Sequence, residues 1–205
     1  MAPVYADAPE QEVIIVRKVS PLLIFVAVII LVIAGLFGSY IRYHNSLISM
    51  EEKIDGSWAE VENNLQRRAD LIPNLVATVK GYARYEEKVF TEIANARSRL
   101  LGAGGVNEKV AAATEFESAL GRLLVVVERY PELKADQRFA ELQDELAGTE
   151  NRLAVARMRY NESVQDFNAR IRRFPGSMIA GMMGLEKKAY FKAAPGTEKA
   201  PEVQF

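Results

Sequence analysis

Few side chains in this 205-residue sequence could do covalent or metal chemistry. His44 is the only histidine and there is no cysteine. A Ser-His-Asp triad in the core, a histidine metal cluster, a thiolate zinc site, an iron–sulfur cluster and a disulfide framework are therefore all excluded within one chain. Glu115 with Glu117, and Asp144 with Glu145, are carboxylate pairs by spacing, but they fall on charged helix faces where solvation is the simpler reading. The run Gly102-Ala103-Gly104-Gly105 leads into Asn107-Glu108-Lys109 and not into the Gly-Lys-Ser/Thr ending of a phosphate loop, and no strand precedes it. No enzyme, cofactor or metal is expected.

What remains is charge placed where apolar residues belong. Arg68 and Glu86 interrupt one apolar stripe, and Glu150 and Arg157 lie beside another, seven apart. An unpaired buried charge costs several kcal/mol, about 3–5 by analogy with broken buried pairs, so these residues must find partners. The expected pairs are Arg68 or Arg67 with Glu150, and Glu86 with Arg157 or Arg97. Together with Asp70 and Asn161 they define a structural polar cluster of Arg67, Arg68, Asp70, Glu86, Arg97, Glu150, Arg157 and Asn161. Asn161 and Asn168, also seven apart, are placed to satisfy backbone or facing side chains.

Long helices must position these residues. Glycine and proline are scarce between residues 40 and 174, and Ala, Leu, Glu, Arg and Gln are abundant. Every seventh residue from Ile54 (Val61, Arg68, Leu75, Tyr82, Val89, Ala96), with those four further on (Trp58, Leu65, Ile72, Val79, Glu86, Ile93, Leu100), is apolar except Arg68 and Glu86. A 3.5-residue repeat sustained this long is a bundle or coiled-coil seam. Because its phase passes through Pro73 unchanged, one helix kinked at Pro73 and reaching Leu101 is favoured over a break with Asp70 as cap. A second helix is predicted from Asn107 to Tyr130-Pro131. A third starts near Asp136, carries Phe139, Leu146, Leu153, Tyr160, Phe167 and Phe174 at intervals of seven as its packing seam, and ends at Phe174-Pro175-Gly176. Residues 177–191 form either a short fourth helix against the bundle or an interfacial, partner-docking element.

Residues 19–41 carry no charge, and at about 1.5 Å per residue the stretch from Leu22 to Ile41 covers roughly 30 Å, enough to span a bilayer. It is longer than a signal-peptide core and lacks a good cleavage site, so it reads as an uncleaved anchor. Ala34 and Gly38 form a small-xxx-small pair suited to close approach of a second span. Arg17 and Lys18 before the span are matched in number by Arg42 and Lys53 after it; two adjacent bases abut the N-terminal end against one at the other, which leans towards a soluble part outside the cytoplasm. The chain thus divides into an N-terminal tail (1–18), a transmembrane anchor (19–41), a helical bundle (42–191) and a disordered tail (192–205). The first 41 residues hold Asp7, Glu10, Glu12, Arg17 and Lys18, which leaves 24 acids and 24 bases beyond them and no positive excess for nucleic acid.

Ordered blocks of this all-α sequence resemble the LemA family of bacterial membrane-anchored helical proteins. They include the run from Gln66-Arg67-Arg68-Ala69-Asp70-Leu71-Ile72-Pro73 to Val76, then Lys80-Gly81-Tyr82-Ala83, Tyr130-Pro131-Glu132-Leu133, Ala156-Arg157, Tyr160-Asn161, Phe167-Asn168 and Phe174-Pro175. The resemblance implies a four-helix-type bundle behind one transmembrane helix and no established enzymatic activity. The resulting expectation is a single-pass protein of the bacterial inner membrane. Its partners are the lipid bilayer, a second copy of itself and other envelope proteins, and it self-associates as a scaffold. Ala34, Gly38, Met178, Met182, Met183 and Leu185 are the candidate contacts. A sensor that binds a small ligand or peptide at the polar cluster is the alternative.

Overall fold

A computed structural model describes residues 20–192, all helix and loop with no strand among them. The N-terminal and C-terminal tails therefore lie outside the described residues, and so does the expected disorder beyond Lys192. The chain divides into two compact units, residues 1–42 and 43–205. In the first, the described part from Pro21 belongs to α1 (Pro21–Tyr82), and residues 21–39 of its apolar stretch are all exposed. It is the one helix among the described residues long and apolar enough to cross a membrane. No neighbour lies within 4 Å of a Cβ added at Gly38.

The second unit is an antiparallel bundle. α1 runs to Tyr82, α2 (Glu87–Gly102) returns, α3 (Val106–Val127) goes up again, and α5 (Gln137–Arg170) comes down the full length after the single turn of α4 (Pro131–Lys134). The pairings fix these directions. Arg97 of α2 reaches Ala69 and Glu117 of α3 reaches Arg68. Asp136, at the head of α5, meets Tyr82, and Arg170, at its foot, lies over the Tyr43 ring. The expected single helix to Leu101 is thus corrected to two. The chain passes through Pro73 without breaking, as expected, but reverses at residues 83–86. The heptad phase concealed this reversal. Ile93, Ala96 and Leu100 of α2 and Leu65, Ile72 and Val79 of α1 are all buried, so the stripe keeps its period on both sides of a four-residue turn.

Pro73 survives inside α1 because of α2. A mid-helix proline has no N–H for the carbonyl four residues earlier, which leaves that group without its intrahelical donor. Here the carbonyl is that of Ala69, and Arg97 Nε donates to it at 2.8 Å. The same guanidinium lies 3.5 Å from Asp70. The second element start is equally local. Asp136 caps α5 by accepting from the Phe139 amide at 3.0 Å and takes a second hydrogen bond from the Tyr82 hydroxyl at 2.8 Å. Those two bonds, the backbone one first, hold the Asp136 carboxyl below the usual carboxylate range.

α6 (Gly176–Met183) folds back on the end of α5, with Ile179 and Ala180 buried. Gly176 is required there, since a Cβ would stand 2.5 Å from the Arg170 carbonyl oxygen. α6 stops at Gly184, whose φ of 67° suits glycine. Residues 185–191 then continue as non-helical chain, so the predicted short fourth helix accounts for only the first part of this segment.

Candidate functional site

Two arrangements of polar side chains sit on α5, and they adjoin. The first is an ion cluster. Arg68 of α1, only 7% exposed, donates to Glu117 of α3 at 2.8 Å and pairs with Glu150 of α5. Arg157, two turns along α5, stands 4.0 Å from Glu150. Two cations and two anions balance, but burial outweighs pairing at Arg68, Glu117 and Arg157. Desolvation lowers the Arg68 and Arg157 pKa values and raises that of Glu117, with the opposite charges only partly offsetting it. Arg68 Nε, Glu117 Oε1 and Arg157 Nε make no hydrogen bond among the described residues.

The expected cluster of eight separates in space. Arg68, Glu150 and Arg157 come together. Arg67 instead pairs with Glu145 at 3.1 Å, Asp70 and Arg97 serve the Pro73 site, and Glu86 pairs with Arg129 at 2.7 Å. The expected pairing of Glu86 with Arg157 or Arg97 fails because the chain reversal puts Glu86 at the α1–α2 turn, beside the end of α3. The member that sequence reasoning missed is Glu117, set aside as one of a solvated pair. Its position one turn beyond Ala113 and before Leu120 and Leu123, all buried, was the available signal.

The second arrangement is an amide ladder. Asn168 donates from Nδ2 to the Lys188 carbonyl at 3.0 Å and accepts from the Lys188 amide at 2.9 Å. Asn161 does the same with Phe191, at 2.9 and 2.8 Å. The Tyr160 hydroxyl, its pKa raised by burial and then by Asp55, donates to the Ala189 carbonyl at 2.8 Å. Seven helical residues rise about 10.5 Å and three extended residues span about 10 Å, so two asparagines seven apart match chain positions three apart. Side chains anchor both ends. Lys188 pairs with Glu51 at 2.7 Å, and the Phe191 ring lies between Trp58, at 6.3 Å, and Arg157, at 4.6 Å.

Arg157 therefore belongs to both arrangements, touching the ion cluster on one side and the strap on the other. A surface groove of about 490 Å³ between α1 and α5, lined by Glu60, Asn63, Asn64, Asn151, Arg152 and Val155 among others, includes none of the four clustered charges. Among the candidate contacts, Met178 and Met182 face outward, while Met183 and Leu185 are half-buried. No group of three or more metal-ligating side chains occurs among the described residues. The site can bind, position and neutralise charge, and it holds no nucleophile beside a base.

The comparisons with known proteins give a family and relatives, and no reaction. The model of the LemA family matches residues 57–205. The chain is 24% identical over 202 residues to Magnetosome protein MamQ of Magnetospirillum gryphiswaldense, covering 86% of this chain and 74% of that protein. Magnetosome protein MamQ 2 of Paramagnetospirillum magneticum matches to the same extent. Protein LemA of Metamycoplasma hominis is 23% identical over 171 residues, covering 83% of this chain and 78% of that protein. None of these names denotes a reaction.

Proposed function

The chain belongs to the LemA family, and from that premise we propose that it is a single-pass, non-enzymatic protein of the bacterial envelope membrane that self-associates and organises partner proteins. The observation that carries this reading is the uncovered apolar stretch of α1. A helix with no polar stripe and no protein cover is stable only where lipid or another span surrounds it. The positive residues flanking the span favour a bundle outside the cytoplasm. Ala34 and Gly38 offer a face for a second span.

Native membranes test the proposal. The expected outcome is that the chain resists alkaline extraction and that protease added to the outside reaches the bundle. Crosslinking is expected to recover a second copy and a reproducible set of neighbours. A monomer at every concentration in detergent overturns self-association, and release by alkaline wash overturns the anchor.

A second reading, a ligand-responsive regulator, draws support from the buried polar atoms without partners at Arg68, Glu117 and Arg157. Loss of function in Arg157→Ala with the melting temperature unchanged favours it.

A further inference from the structure

We propose that the α6 end of the bundle docks on the acidic phospholipid headgroups of the membrane that holds the chain. Phe174, Met178 and Met182 enter the interface, and Arg170, Arg172, Arg173 and Lys187 contact phosphate. This inference rests on the anchoring reading above.

The apolar part is a built face. Phe174, Met178 and Met182 repeat at four-residue intervals and are 80%, 62% and 73% exposed, while Ile179 and Ala180, on the opposite side of α6, are buried. Flexible, polarizable methionine and a single aromatic suit a fluid surface. Gly176 lets the α6 backbone press against the Arg170 carbonyl, so the bundle holds this face at a set angle.

The charge is one-sided. Between Asp166 and Lys192 six bases stand against two acids. Among the described residues no carboxylate lies within ion-pairing distance of Arg170, Arg172, Arg173 or Lys187, whereas Lys188 is neutralised by Glu51. Long basic side chains around an apolar face are the pattern that lies in a headgroup layer, with stems buried and cations at phosphate.

Chain connectivity supplies the partner. Arg170 lies over the Tyr43 ring at 4.9 Å, and Tyr43 follows Ile41, the last residue of the uncharged span, by two positions. Wherever that span ends in a bilayer, the residue on which Arg170 packs is less than one helical turn away. Tyrosine at such a position is itself an interfacial residue.

The absence of native cysteine makes the test clean. Met178→Cys in the full chain is labelled with a polarity-sensitive fluorophore and reconstituted into vesicles of phosphatidylcholine with phosphatidylglycerol. The expected emission is blue-shifted and quenched by spin-labelled lipid, while the same probe at Val125→Cys, an exposed position on α3, reports water. Arg172→Gln and Arg173→Gln each lower the ratio of docked to undocked probe about five-fold, Arg→Lys restores it, and melting temperatures stay unchanged.

A water-exposed probe at position 178 in a chain that resists alkaline extraction overturns the docking alone, whereas release of the chain overturns the anchor and the docking together. Equal quenching in pure phosphatidylcholine overturns the headgroup contact. A blue shift that appears only at high protein-to-lipid ratio assigns the face to a second copy.

Discussion

The two ends of the bundle solve the same covering problem with different materials. Around Ala69, α1 and α5 are closed by two further helices, α2 and α3, which satisfy their own backbones and contribute apolar side chains such as Ile93, Phe116 and Leu123. Around Leu47 to Trp58, α2 and α3 are absent, and α1 and α5 are covered instead by α6 and a length of extended chain. Extended chain brings unpaired N–H and C=O groups with it. Asn161 and Asn168 supply what a neighbouring strand would have supplied, and the Tyr160 hydroxyl takes one more carbonyl. One end is held by side-chain packing and the other largely by side chains binding a main chain, so the two must respond differently to substitution.

The largest effect is expected at the seam between them. Arg68→Ala leaves the half-buried Glu117 and Glu150 with only Arg157 nearby, and should cost about 3 kcal/mol in urea unfolding. Because Arg68 joins α1 to α3 and α5, both ends should lose protection together. Next is the strap. Asn168→Ala orphans the Lys188 amide and carbonyl, and Asn161→Ala those of Phe191, each costing about 1–3 kcal/mol. Hydrogen exchange should show the loss confined to residues 185–191, and spreading of that loss into α2 and α3 would contradict the division drawn here.

A smaller effect, about 1–2 kcal/mol, is expected for Arg97→Ala, which uncovers the Ala69 carbonyl. In a Pro73→Ala background the restored amide at position 73 takes that carbonyl, and the cost of removing Arg97 should shrink. Equal costs in the two backgrounds would refute the assignment.

The smallest effect is a pH dependence at the head of α5. The folded pKa of Asp136 is depressed, so its contribution is present above the unfolded value of about 3.9 and is lost as pH falls through the folded one. Asp136→Asn should flatten stability against pH in that acid window while still capping the helix.

How much of this was legible in the sequence follows from which forces repeat. The heptads of α5 marked its buried side, and Phe139, Leu146, Leu153, Tyr160 and Phe167 are all in the core, whereas Phe174, the sixth residue of that repeat, lies beyond the end of α5 and is 80% exposed. The charged residues placed on stripes led to the Arg68–Glu150 pair. The reversal at residues 83–86 was hidden because a short turn without proline or glycine carried the repeat across it. Glu117 was hidden because spacing alone does not distinguish a solvated carboxylate from one beneath a neighbouring arginine. The asparagines were visible as polar residues needing partners, but their partner was main chain, which has no sequence signature. The role of Arg97 needed two distant facts at once, a proline in one helix and a guanidinium at the matching height of another.

That last contact ties a local defect to a distant docking event. While α2 is seated, the interruption in α1 is mended from outside. When α2 departs, Ala69 faces solvent with an unanswered carbonyl, and the long helix acquires a joint at Pro73. Satisfaction of the Ala69 carbonyl and residence of α2 are therefore linked, and a binder that pulls α2 away would loosen α1 around Pro73 without touching it.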